Sequence, residues 1–197
     1  MDMKKAKAMD RWAAELDGVF TIADLKVALD ENAEPTLYRA VAGMVSNGTL
    51  IKVKRGIYAT PDASLTTISS RIEAKAYIST GTVLARRTII GSIPVRRVQA
   101  VKVGRPRTYT CDLGTIEHLS ISPRLYFGFT AVSGELVATP EKAFLDVCYF
   151  TYRGHRFSFD PGSDINLTGL DFNRIESYLE AYDKRFVSFF NRHWSRP

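Results

Sequence analysis

The stretch that most constrains the fold is residues 35–58, PTLYRAVAGMVSNGTLIKVKRGIY. Pro35 suits the first helical position, where a missing N–H leaves nothing unpaired. Leu37, Val41, Met44 and Val45 recur at helical spacing, so one face is apolar. Asn47 and Gly48 tolerate positive φ and end the helix. Residues 50–54 then alternate, with Ile51 and Val53 on one side and Lys52 and Lys54 on the other. Arg55 and Gly56 permit a reversal into a partner strand over 57–59. Packing Leu37, Val41 and Met44 inward turns Thr36, Arg39, Gly43 and Ser46 outward, with Tyr38 at the edge of that face.

The upstream sequence predicts two more helices. Residues 4–16 place Ala8, Met9, Trp12, Ala13 and Leu16 at helical spacing, and Asp17 and Gly18 break the run. Thr21 is an N-cap candidate, with Asp24 at the reciprocal capping-box position. Ile22, Leu25, Ala28 and Leu29 supply the next apolar face. Helices followed by a basic hairpin, in this order, are the pattern of a winged helix-turn-helix, which lays one helix in a DNA groove. Thr36, Tyr38 and Arg39 on the last helix and Lys52, Lys54 and Arg55 on the wing are then the DNA-binding candidates. This domain is expected over residues 1–62, with 60–64 as linker and 63–197 as a second domain.

Charge is unevenly placed. The first 62 residues hold as many acidic as basic side chains, so the whole net charge of +6 lies beyond them. No acid occurs between Glu73 and Asp112, a stretch that carries Lys75, Arg86, Arg87, Arg96, Arg97, Lys102, Arg105 and Arg107. Arginine favours bidentate phosphate contacts. The residues from Arg86 to Arg107 are therefore a candidate second basic surface for DNA, RNA or an acidic protein. Arg96, Arg97 and Lys102 fall on both faces of one predicted strand, so they do not all share a surface.

The second domain predicts an α+β fold with a central, mainly antiparallel sheet. Helices are expected over 65–74 and from Ser79 or Thr80 to Gly91. Strands are expected over 77–78, 95–103, 107–112, 115–121, 125–129 and 136–138. Thr139, Pro140 and Glu141 mark a helix start: a cap, a proline in the first turn and an acid facing the dipole. Two final helices follow, with Phe172, Ile175, Leu179, Phe186, Phe189 and Phe190 inward.

Enzymatic readings find no support. His118, His155 and His193 are scattered, with no zinc-ligand spacing. No GxSxG turn or phosphate loop occurs. Glu141 and Asp146 are spaced poorly for one helix face, which argues against a paired-carboxylate site. No catalytic residue, metal or cofactor is expected. No apolar run approaches membrane-spanning length, and MDMKKAKAMDRW lacks the apolar core of a secretory signal. Cys111 and Cys148 have no partner motif and are expected as reduced thiols in a cytoplasm.

Two patches together carry a family resemblance. One is the hairpin GTLIKVKRGIYATP. The other is ELVATPEKAFLDVCYF, preceded by KAYISTGTVLARRTIIG. In that order and spacing, over most of residues 10–155, the chain resembles the AbiEi antitoxins of type IV toxin–antitoxin systems linked to abortive infection. The resemblance implies an N-terminal domain that binds DNA upstream of its own operon and represses it. It implies a C-terminal domain that counteracts a nucleotidyltransferase-like toxin, without a stable complex being required. It places Thr36, Tyr38 and Arg39 against bases and phosphates, and Lys52, Lys54 and Arg55 along the wing. The alternative reading is a ligand-responsive winged-helix regulator with no toxin partner.

Overall fold

Residues 3–91 and 93–194 are described by the computed structural model. The chain divides into two units. One runs to Glu73 and includes Thr108–Ile116; the other comprises Ala74–Arg107 and the chain from Glu117 onward.

The first unit opens with α1 (Met3–Glu15), β1 (Val19–Thr21) and α2 (Ile22–Ala28). It continues with α3 (Glu34–Ser46), β2 (Ile51–Lys54), β3 (Ile57–Ala59) and α4 (Leu65–Ile72). Its sheet has the order β1-β3-β2, and both pairings are antiparallel. Residues of β3 alternate between two apolar clusters. Tyr58 joins Phe20, Leu25, Leu37 and Val41 of the helical core, whereas Ile57 and Ala59 join Val53, Ile68 and Ile116. Ile68 on α4 thus belongs to the same core as the wing. That shared burial carries the first unit past the expected boundary at residue 62.

Gly18 shows why this junction tolerates no side chain. Its φ is +74°, and a Cβ there would run into Thr60 Oγ1. Its carbonyl accepts the Thr60 amide at 2.8 Å, closing the β1 and β3 ends together.

The start of α2 forms the capping box read from the sequence. The Asp24 amide donates to Thr21 Oγ1 at 3.2 Å, and the Thr21 amide donates to Asp24 Oδ2 at 2.7 Å. Arg71 of α4 donates to the same carboxylate at 2.8 Å. Partial burial pulls the Asp24 carboxyl upward, but the Thr21 amide and hydroxyl and the Arg71 guanidinium outweigh it and hold the carboxyl below its usual value. This stabilisation is present at neutral pH and is lost as pH falls through the depressed value. Thr21→Ala removes the cap and is expected to destabilise the protein by about 1 kcal/mol, read from a urea midpoint.

The second unit contains β4 (Tyr77–Ile78), α5 (Thr80–Arg86) and β5 (Arg97–Val103). The β6 (Arg107–Cys111) and β7 (Gly114–Ile121) hairpin follows, its residues 108–116 belonging to the first unit, then β8 (Phe129–Val132), β9 (Glu135–Ala138) and α6 (Pro140–Tyr152) of the second. The helices α7 (Phe172–Leu179) and α8 (Lys184–His193) complete it. A six-stranded sheet has the order β6-β7-β5-β4-β9-β8. It is mixed: β4 pairs with β5 and β8 with β9 antiparallel, but β4 pairs with β9 parallel. The fold is α+β.

Two local expectations differ from the structure. Residues 125–129 are not a strand: Pro123–Leu125 is a 3-10 turn and β8 begins at Phe129. Proline fixes φ and supplies no ladder donor, which starts a turn where alternation alone predicts a strand. The helix after Ser79 ends at Arg86, well before Gly91, because Thr88 takes φ +55°. On the final helices, Phe186, Phe190 and Trp194 are core, while Phe189 is half-buried.

Candidate functional site

The DNA-binding candidates occupy α3 and the β2–β3 hairpin. On α3, Leu37, Val41 and Met44 are buried, and Thr36, Tyr38, Arg39, Gly43 and Ser46 are exposed. Tyr38 keeps about half of its surface, at 52%. Burial, then the neighbouring Tyr38 phenol, push the Tyr58 phenol above its usual range. Tyr58 shares the helical core with Leu37 and Val41 of α3. Lys52 pairs directly with Tyr58, so its exposed side chain leaves the sheet on the same face.

Lys54 does not join it. The β2–β3 register shifts between Lys52 and Lys54, and Lys54 pairs with Ile57 on the opposite face. Its ammonium lies over the Tyr109 ring of β6, 5.8 Å from the centroid, and its side chain is half-buried. The alternation of residues 50–54 therefore misplaces one of the two lysines, because a bulge resets the pleat. Arg55 is exposed at the hairpin turn, where Gly56 takes φ +79°. Acidic Asp30, Glu31 and Glu34 lie at the entry to α3. Phosphate approach is disfavoured there, which leaves the middle of the helix and Lys52 as the cationic face.

The arginine-rich stretch is dispersed. Arg86 and Arg87 are exposed at the end of α5, where the helix dipole favours cations. Arg96 and Arg97 are exposed where the Arg97 amide closes a turn onto the Pro94 carbonyl at 3.1 Å. Arg97 lies 4.0 Å from Glu117. Lys102 is half-buried within β5. Arg105 and Arg107 are exposed at the β5–β6 turn, where Gly104 takes φ +98°. The length of β5, roughly 20 Å at about 3.3 Å per residue, separates Arg97 from Arg105. Arg97 and Arg105 thus lie at opposite ends of β5 and do not share one surface.

The TPEKAFLD segment forms a buried polar cluster that the sequence reading missed. Thr139 caps α6, accepting from the Lys142 amide at 3.2 Å. Glu141, only 5% exposed, accepts from the Asp171 amide and from Arg174 Nη1, each at 3.3 Å. It ties α6 to the start of α7. Lys142 and Asp146, one turn apart, form an ion pair with no solvent exposure on either side chain. Asp146 Oδ2 also accepts from Tyr77 at 2.9 Å and Ser79 at 2.7 Å. The Lys142 ammonium sits 5.2 Å from the Phe127 ring centroid, 5.7 Å from Tyr77 and 5.8 Å from Tyr182. Burial, then the Asp146 carboxylate, push the phenols of Tyr77 and Tyr182 well above their usual range. Gly128, at φ +74°, lets the backbone lie against the Lys142 stem. This cluster joins β4, α5 and α6 away from solvent, so it orders a core. The signal for it was the Lys-x-x-x-Asp spacing on an otherwise apolar helix.

Cys111 and Cys148 are both free thiols. No helix among the described residues is long and apolar enough to cross a membrane.

No family model matches this chain, and no curated protein matches it. The structure is similar to the crystal structure of the Rv2827c protein from Mycobacterium tuberculosis, at a TM-score of 0.59 and 12% sequence identity, over 100% of this chain and 84% of that one. That likeness concerns the fold.

Proposed function

We propose that this protein binds duplex DNA through α3 and the wing and represses the operon that encodes it. The observation that supports this reading is the exposure of Arg39 and Tyr38 on α3 and of Lys52 on the hairpin, with the buried face of α3 and Tyr58, the strand partner of Lys52, sharing one rigid helical core. A rigid element presenting an arginine, a tyrosine and a threonine has the donors needed to read base edges, and the hairpin lysine has the charge needed to meet a phosphate. In keeping with the resemblance to AbiEi antitoxins, the second unit counteracts a nucleotidyltransferase-like toxin and performs no catalysis of its own.

Two variants test the placement by fluorescence anisotropy on the DNA upstream of the gene. Arg39→Ala is expected to lose about 1–3 kcal/mol on specific DNA and to relax sequence choice at one position. Lys52→Ala is expected to weaken all sequences about equally and to flatten the salt slope by about one unit. Lys54→Ala, on the other face of the hairpin, leaves that slope unchanged. If Lys54→Ala flattens the slope and Lys52→Ala does not, the DNA meets the opposite face of the wing and this reading fails.

A further inference from the structure

We infer that a groove around Arg153 in the second unit binds single-stranded nucleic acid. It shares no residue with the α3 and wing face. The helix α6 ends at Arg153, whose amide donates to the Tyr149 carbonyl at 3.0 Å. Gly154 then takes φ +84° and turns the chain away. On one side of Arg153 lies an open hollow of about 840 Å³, lined by Tyr152, Arg153, Asp183, Lys184 and Arg185. On the other side lies an open hollow of about 640 Å³, reached by Arg153, Tyr149, His155, Ser120 and Ser122. Arg153 borders both hollows, which together make up the proposed trough.

The charge in this trough is positive where it meets solvent. Arg153, Lys184 and Arg185 are exposed. The acids nearby are already engaged. Asp183 accepts from the Arg185 amide at 3.0 Å and the Phe186 amide at 2.9 Å, capping α8. Glu117 accepts from Gln99 Nε2 at 2.9 Å and lies 4.0 Å from both Arg97 and His155. In the first hollow Arg153, Lys184 and Arg185 thus outnumber the one carboxylate, Asp183, while in the second Arg153 stands with Glu117.

Tyr152 supplies a stacking surface. Its ring rests on Phe186 and Phe189, with centroids 5.7 and 5.1 Å away, and 36% of the residue stays exposed. A ring braced by these edge-on and tilted contacts and still partly exposed can receive an unstacked base. Both hollows are open to solvent, whereas small-ligand sites enclose most of the ligand. A duplex keeps its bases stacked and does not offer a face to Tyr152. An open, cationic trough with a braced aromatic ring matches the general chemistry of single-strand binding, phosphates on the cations and a base on the ring.

The test uses the full-length protein and a fluorescein-labelled RNA about 12 nucleotides long, within the span such grooves cover. Competitors are the single-stranded DNA of the same sequence and the blunt duplex. Binding is expected to weaken with salt, with a slope of about −0.7 for each phosphate contact. Arg153→Ala and Tyr152→Ala are each expected to lower affinity about tenfold. Lys184→Ala is expected to flatten the salt slope, and Arg39→Ala to leave single-strand binding unchanged. Better competition by RNA than by single-stranded DNA shows that the groove reads the 2′-OH; equal competition shows that it reads phosphate and base alone, and either result supports single-strand binding. Absence of binding at low salt overturns the inference. So does binding that survives Arg153→Ala and Tyr152→Ala, is lost only with Arg39→Ala, or is competed equally by the blunt duplex.

Discussion

Lys142→Met is expected to destabilise the protein by about 3–5 kcal/mol, among the largest effects of any single substitution in this chain. Neither Lys142 nor Asp146 has any solvent exposure, so the mutant leaves a carboxylate in the core with one oxygen lacking its cationic partner. Tyr77 and Ser79 still donate to Asp146 Oδ2, but neither replaces the lost charge. Adding Asp146→Asn should recover much of the loss, because a neutral amide oxygen keeps both hydroxyl donors satisfied without a buried charge. Urea denaturation of the two variants checks this. A loss below about 1 kcal/mol for Lys142→Met would mean that the pair contributes no more than an exposed one.

Phe186→Ala is expected to cost about 3–5 kcal/mol, by removing a buried ring and leaving a cavity. Phe186 has no exposed surface. Its ring meets Tyr182 at 4.7 Å, Tyr149 at 5.5 Å, Tyr152 at 5.7 Å and Phe190 at 6.3 Å, centroid to centroid. These neighbours come from α6, α8 and the turn between α7 and α8, so the space cannot close without shifting several elements. Phe189→Ala, at a half-buried position, should cost clearly less. Equal losses for the two, measured by thermal unfolding, would contradict the packing described.

The sequence was most legible where the signal is local. The Thr21–Asp24 capping box, the apolar face of α3 and the Thr139 start of α6 follow from spacing and cap chemistry alone. What escaped it depends on partners distant in the chain. The strand β1 is too short to show alternation, and only its pairing with β3 defines it. The opposite facing of Lys52 and Lys54 comes from a bulge that no residue in 50–54 announces. Arg97 and Arg105 read as neighbours because sequence distance ignores the extended length of β5. In the second unit, spacing alone says only that Glu141 and Asp146 do not pair with each other; their partners, Arg174 and Lys142, appear only in the fold. Tyr152 and Arg153, in a segment that reads as helix end and loop, gain meaning only when Phe186, Phe189, Lys184 and Arg185 fold beside them.

The central claim is that α3 and the wing select a DNA sequence. Its most direct test is anisotropy of the full-length protein on the duplex upstream of its gene, against a scrambled duplex of the same length and composition, across a salt series. The account predicts at least about 10³-fold tighter binding to the upstream duplex, with both affinities falling as salt rises. Equal affinity for the two duplexes at every salt concentration would contradict it.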